Sequence, residues 1–289
     1  MSVLSRIGFM QGRLSPLVDG KIQAFPVGCW REEFAAAQRI GLDLMEWTLD
    51  QEGLYENPLL TSDGQEEIKT LMVSYGIRIN SVTGDCFMQA PFWKADPAAR
   101  SALVKDFSVV IDACAQVGIK YVVIPLVDGG RIENSFQKDI LFSVLNDMVE
   151  TLRGYGVRIV FEADLEPKEL AAFVSEMDDT LFGINYDIGN SAAAGFNPIE
   201  EIDSYGDRIW NVHVKDRLLN GTTVELGSGN ADFIRVFRAL AGCEYKGNYI
   251  LQTARATDGN HVGTLRKYRD MVVQWLQETT VERAGIDVT

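Results

Sequence analysis

The sequence predicts an α/β fold, a single (β/α)8 barrel of the TIM type. Eight apolar, β-branched runs recur along the 289 residues. Each is followed by a polar loop and a segment with helical spacing of its apolar residues, the alternation expected of a parallel sheet wrapped by helices. Dividing the chain by eight gives about 36 residues per unit, the size of one strand, helix and their connections in such a barrel. A doubly wound open sheet is the alternative. Its usual Gly-x-Gly-x-x-Gly turn is missing after the first strand, where Gly8-Phe9-Met10-Gln11-Gly12 stands instead.

Taken in order, the strands are expected at 6–11, 42–48, 78–83, 121–126, 158–163, 182–187, 209–215 and 248–253. Between them, Ile140, Leu141, Val144, Leu145, Met148, Val149 and Leu152 trace one helix face. Asp96-Pro97 and Asn197-Pro198 read as N-caps followed by proline at the first helical position. Gly41, Gly76, Gly118, Gly156 and Gly242 stand between helical runs and strands, where a left-handed residue ends a helix. One domain spans 1–289, with a polar tail from about 278 expected outside the barrel.

Composition narrows the function. A formal net charge of −14 works against binding to phosphodiester or anionic membrane, since both depend on releasing counterions to lysine and arginine. We expect no nucleic-acid partner and no membrane partner. No run of eighteen apolar residues occurs, and the N-terminus lacks a signal-peptide core, so a cytoplasmic protein is expected. Cys29, Cys86, Cys114 and Cys243 show no Cys-x-x-Cys spacing and are expected to be reduced and packed.

In a barrel, chemistry gathers at the C-terminal ends of the strands. There the fifth strand offers Glu162, the sixth Asp187, the seventh His213 and Lys215, and the eighth Gln252. Their parity with Val160, Asn185, Asn211 and Ile250 puts them on one inward wall. A carboxylate within the apolar run Ile159-Val160-Phe161-Glu162 needs a cation, and a divalent metal is the economical one. Pairing of Glu162 and Asp187 with Lys215 or Arg158 is the alternative. Oxygen donors with one imidazole suit Mn2+, Zn2+, Co2+ or Mg2+, with Mn2+ placed first.

The stretches Phe161-Glu162, Asn185-Tyr186-Asp187-Ile188-Gly189-Asn190 and His213-Val214-Lys215-Asp216-Arg217 resemble the xylose isomerase-like barrels, a group of sugar and sugar-phosphate isomerases and epimerases. The resemblance extends to Met10-Gln11-Gly12-Arg13-Leu14-Ser15-Pro16 and Glu225-Leu226-Gly227-Ser228-Gly229. It implies one bound metal, with Glu162, Asp187, His213 and Gln252 as its ligands by position. In that family two glutamates also move the proton, so Gln252 is a departure: an amide cannot accept and return a proton near neutral pH. Glu162 is then the remaining base. The favoured consequence is that it moves the proton along a single face of an enediolate, as an aldose-ketose isomerase can; the alternatives are that Lys215, Asp85 or His261 is the second group or that only binding is kept.

Glu46 and Asp85, near the ends of strands two and three, are candidates for binding sugar hydroxyls; a salt bridge and a loop cap are their plainer roles. Arg13, Arg217 and Arg255 follow strands one, seven and eight, which are neighbours in a closed barrel. Together they would hold a phosphate or carboxylate; solvated surface arginines are the alternative. His261, at the start of the last helix, is a further substrate-contact candidate. Trp47, Phe87, Phe92 and Trp93 can stack on a sugar or simply pack.

The expected activity is metal-dependent isomerisation or epimerisation of a small carbohydrate or sugar phosphate through an enediolate. A metal-dependent lyase or dehydratase of polyols or keto-acids, and a non-catalytic sugar-binding barrel, are the competing readings. Apurinic endonucleases, which are related, need more histidines than the two present. Pairing of copies through loops at the mouth is left open.

Overall fold

The computed structural model describes residues 4–286, with side chains as far as 279. Seven parallel strands follow one another around the barrel: β1 (Ile7–Met10), β2 (Leu44–Leu49), β3 (Arg78–Gly84), β4 (Tyr121–Leu126), β5 (Arg158–Ala163), β6 (Phe182–Asp187) and β7 (Ile209–Val214). A small antiparallel ribbon, β8 (Asp216–Arg217) with β9 (Thr223–Val224), stands beyond β7. Strand β10 (Asn248–Leu251) then closes the barrel between β7 and β1. Three strands span the predicted residues, and the others differ by one or two at an end. At the mouth those end residues, Gln11, Lys215 and Gln252, have left the strands.

The strands are apolar on both faces because helices cover one face and the barrel interior receives the other. Inside, Met10, Leu44 and Ile250 form a separate apolar layer. Gly8 makes room for it, since a β-carbon there would lie 2.7 Å from Leu44 Cγ and 2.9 Å from Ile250 Cδ1.

Two register shifts set the phase of the inward residues. Between β6 and β7 the ladder runs from Ile184 opposite Ile209 to Asn185 opposite Asn211, skipping Trp210. Between β2 and β3 it runs from Met45 opposite Ile79 to Glu46 opposite Ser81, skipping Asn80. Such a bulge turns the following side chains to the other face. Trp210 lies near the other end of the barrel, beside Tyr121 and Arg158. Gly183 admits its ring, because a β-carbon there would stand 2.5 Å from the indole and 2.8 Å from Arg208 O. Gly183→Ala is therefore expected to destabilise the barrel by about 1–3 kcal/mol through overpacking, measured as a lower urea midpoint.

Both proline-led caps form: Asp96 accepts from Ala98 N and Ala99 N, and Asn197 from Ile199 N. The predicted stripe from Ile140 to Leu152 is two helices, Ser135–Asp147 and Val149–Tyr155, hinged at Met148. Gly41, Gly76, Gly118 and Gly156 have positive φ. Gly242 corrects the expectation: it is the last residue of helix Phe233–Gly242, and Glu244 takes the left-handed conformation. The final helix, His261–Ile286, runs on into the expected polar tail; residues 287–289 lie outside those described.

All four cysteines are free, and Cys243 is exposed rather than packed. Among the described residues no helix is long and apolar enough to cross a membrane.

Candidate metal centre

Strands β5, β6 and β7 are adjacent, and each carries one donor inward at its C-terminal end. Glu162, Asp187 and His213 are all buried, and their ligand atoms lie within 4.8 Å of one another. His213 Nδ1 is 3.0 Å from Glu162 Oε2 and 3.9 Å from Asp187 Oδ2. One layer down, Asn185 Nδ2 donates to Glu162 Oε2 at 3.0 Å and lies 3.0 Å from His213 Nδ1. Asn211 Nδ2 donates to Asn185 Oδ1 at 2.8 Å and to Glu46 Oε2 at 2.9 Å.

Glu46 is not at the mouth, which corrects the expectation of a sugar contact. It is 0% exposed, and its Oε1 stands 2.7 Å from His213 Nε2 while Ser81 Oγ donates to Oε2 at 2.6 Å. A carboxylate behind the imidazole fixes the ring and turns Nδ1 toward Glu162 and Asp187.

The site is dominated by burial and by charges at contact distance. Burial pulls the His213 imidazolium down, but the Glu46 charge and the hydrogen bonds of Glu162 and Glu46 outweigh it and push the pKa up to about 10. Burial raises the Glu162 carboxyl, whereas the His213 hydrogen bond and charge and the Lys215 charge lower it by more, to about 2. Asp187 ends above the usual carboxylate range: burial raises it, and Lys215 only partly opposes that.

Lys215 Nζ lies 2.6 Å from Asp187 Oδ2 and donates to Gln252 Oε1 at 3.0 Å. The first is an ion pair that gives the buried Asp187 Oδ2 its cationic partner. Two carboxylates and an imidazole around one point fit a divalent metal. Gln252 is joined to these donors through Lys215. It also donates to Gln23 Oε1 at 3.1 Å.

The other candidates divide. Asp85 opens the short helix Asp85–Gln89 and is 8% exposed; Gln23 Nε2 donates to its Oδ2, and Thr83 Oγ1 to its Oδ1 at 3.3 Å. Gln23 thus links Gln252 to Asp85. This residue escaped the sequence reading because it sits in a loop without periodic or motif signal.

The three arginines do not form one anion site. Arg13, 4% exposed, donates to Thr253 O, Ile22 O and Gln23 Oε1. Burial and then Arg255 lower its pKa to about 9. Arg255 donates to Gly12 O and Ser15 O. Their donors tie the loop after β1 to the end of β10. Glu33, also unanticipated, pins the same loop by accepting from Gly12 N and Leu14 N. Arg217 lies elsewhere, donating to Gly221 O and to Asn190 Oδ1, whose amide in turn donates to Glu162 Oε1 at 2.8 Å.

A cavity of about 460 Å³ is lined by Asp128, Arg131, Asp164, Asn190, Arg217 and Asn220; Glu162 does not line it, but Asn190, which does, donates to Glu162. His261 is buried with Nδ1 unpartnered, and its pKa is lowered by burial and then by Arg255. It is not among the donor cluster. Trp47, Phe87, Phe92 and Trp93 are all buried; Phe87 and Phe92 pack on Phe107, and Trp47 on Trp30. They pack rather than offer a stacking face.

The chain is similar to known proteins along most of its length. An uncharacterized protein of Methanocaldococcus jannaschii is 27% identical over 214 residues, which cover 66% of this chain and 72% of that one. The L-ribulose-5-phosphate 3-epimerase UlaE of Escherichia coli is 24% identical over 262 residues, covering 86% of this chain and 91% of the relative. The crystal structure of a xylose isomerase domain protein from Planctomyces limnophilus superposes with a TM-score of 0.75 at 16% identity, covering 96% of this chain and 98% of the other. The profile of the xylose isomerase-like TIM barrels matches residues 34–278, which hold all nine strands after β1 and all three donors. With that match over most of its length, the chain belongs to the xylose isomerase-like TIM barrel family.

Proposed function

We propose that the protein is a metal-dependent isomerase or epimerase of a small carbohydrate or sugar phosphate, working by proton transfer beside a carbonyl. The observation that carries this reading is the convergence of Glu162, Asp187 and His213 within 4.8 Å at the strand ends of a closed barrel. The similarity to L-ribulose-5-phosphate 3-epimerase, whose name specifies a ketose phosphate, supports that substrate class.

Glu162, Asp187 and His213 would hold the metal, with Gln252 as a fourth, neutral donor; Mn2+ is favoured, and Zn2+, Co2+ or Mg2+ suit the same donors. A divalent metal there supplies positive charge that stabilises the oxygens of an enediolate. Glu162 is the base: its Oε1 and Oε2 are aimed by Asn190 and Asn185. Lys215, with 12% of its side chain exposed, is the mobile cation able to move from Asp187 to a substrate oxygen. Arg217 positions Asn190 and lines the cavity that would take the distal part of the substrate. Arg13, Arg255 and His261 shape the opposite rim.

In deuterium oxide, the metal-loaded protein is expected to introduce deuterium next to the carbonyl of a ketose or ketose phosphate. Chelation should abolish the exchange and added Mn2+ restore it. Full exchange by protein shown metal-free by elemental analysis would sink the metal-dependent reading.

A further inference from the structure

Glu162 serves one face of a planar intermediate, and inversion at carbon needs a proton donor on the other. Gln252 cannot be that donor. Lys215 is held between Asp187 and Gln252 as a cation, and His261 stands with Arg255 outside the donor cluster.

Asp85 is one of the buried carboxylates near the centre that lack an ion pair among the described residues. Glu46 and Glu162 face His213, Asp187 faces Lys215, and Asp164 faces Arg131. Asp85 has only neutral hydrogen-bond partners, Gln23 and Thr83, and no ion pair among the described residues. It is buried at the C-terminal end of β3, and one strand, β4, separates it from Glu162 on β5. Gln23 connects it to the Gln252 amide and also accepts from Arg13, so the neutral side chain just past β10 and the carboxyl just past β3 belong to one hydrogen-bonded chain, and the Arg13 charge acts on Asp85 without an ion pair between them.

We propose that Asp85 is the second proton-transfer group, and that the reaction is epimerisation at the carbon beside a ketose carbonyl, with Glu162 and Asp85 serving opposite faces. The proposal rests on the reading of Glu162 as base. Glu162 takes the proton as the C–H bond breaks and the electron pair enters the enediolate. The Asp85 O–H bond then breaks as a C–H bond forms on the other face. Glu162 is left protonated and Asp85 ionised, and exchange of both with water resets them. Its surroundings move Asp85 toward the protonated state the step needs: burial, then Asp50 and Glu162, against the opposing Gln23 and Thr83 bonds, push its pKa up to about 6.

The test uses the metal-loaded protein in deuterium oxide with L-ribulose 5-phosphate and a panel of free ketopentoses and ketohexoses. Asp85→Asn is expected to cut epimer formation by about 10²–10⁴, while recovered substrate still gains deuterium at the same carbon with its configuration retained. Asp85→Ser should behave alike, and elemental analysis should find the metal retained in both. Equal loss of exchange and epimer formation, or no loss of either, would overturn the assignment. Exchange by the unaltered protein that yields an aldose and no epimer would overturn this inference alone. No exchange with any sugar would instead overturn the proposed function beneath it.

Discussion

Replacing Glu162 by Gln is expected to reduce deuterium exchange into substrate by about 10²–10⁴, the usual contribution of a positioned general base. The substitution keeps the size of the side chain, so Asn190 and Asn185 still surround it at about the same places. One of the two oxygens that accept their amides becomes an NH2 group, which faces a donor in turn. Some metal binding should survive through Asp187 and His213, and proton transfer should not. The low pKa of Glu162 belongs to the metal-free site, where His213 is a cation. A histidine ligand is neutral, so a bound metal replaces that proton rather than adding to it. Exchange monitored by proton NMR, with metal content measured alongside, separates loss of the base from loss of the site. Unchanged exchange would remove Glu162 from the reaction.

Glu46→Ala should have the largest effect on stability. Glu46 and His213 are both fully buried, and removing one leaves the other without its partner at a typical cost of about 3–5 kcal/mol. Metal affinity should fall about 10–100-fold as well, because the imidazole loses the group that orients it. The milder Glu46→Gln tests the electrostatics through pH. In the metal-free protein the His213 pKa is raised to about 10, so its stabilising effect is complete below the unfolded value of about 6.5. It is lost as pH rises through about 10. Glu46→Gln removes the largest raising influence, so the loss should begin at lower pH. Urea unfolding of the chelator-treated protein across that range measures it, and coincident profiles would show that Glu46 does not hold the His213 proton.

The barrel was legible because its signals are local. Val122, Val123 and Ile124 in β4, or Ile159, Val160 and Phe161 in β5, declare strands buried on both faces whatever lies across from them. The carboxylates of Glu162 and Asp187 stood out for the complementary reason, as charges that apolar strands do not accommodate alone. The hinge at Met148 was hidden, because the apolar positions on either side continue one helical stripe.

The sequence by itself determined the order of strands and helices and which strand ends carry donors, since those follow from side-chain periodicity within a few neighbouring residues. The tertiary structure decided which polar groups meet. Glu46 reaches His213 across 167 positions of chain, Gln23 couples Gln252 to Asp85 from a loop, and Arg13 and Arg255 turn inward to backbone carbonyls. A hydrogen-bonding group is satisfied by whatever barrel closure brings within about 3 Å, and no local spacing encodes that partner.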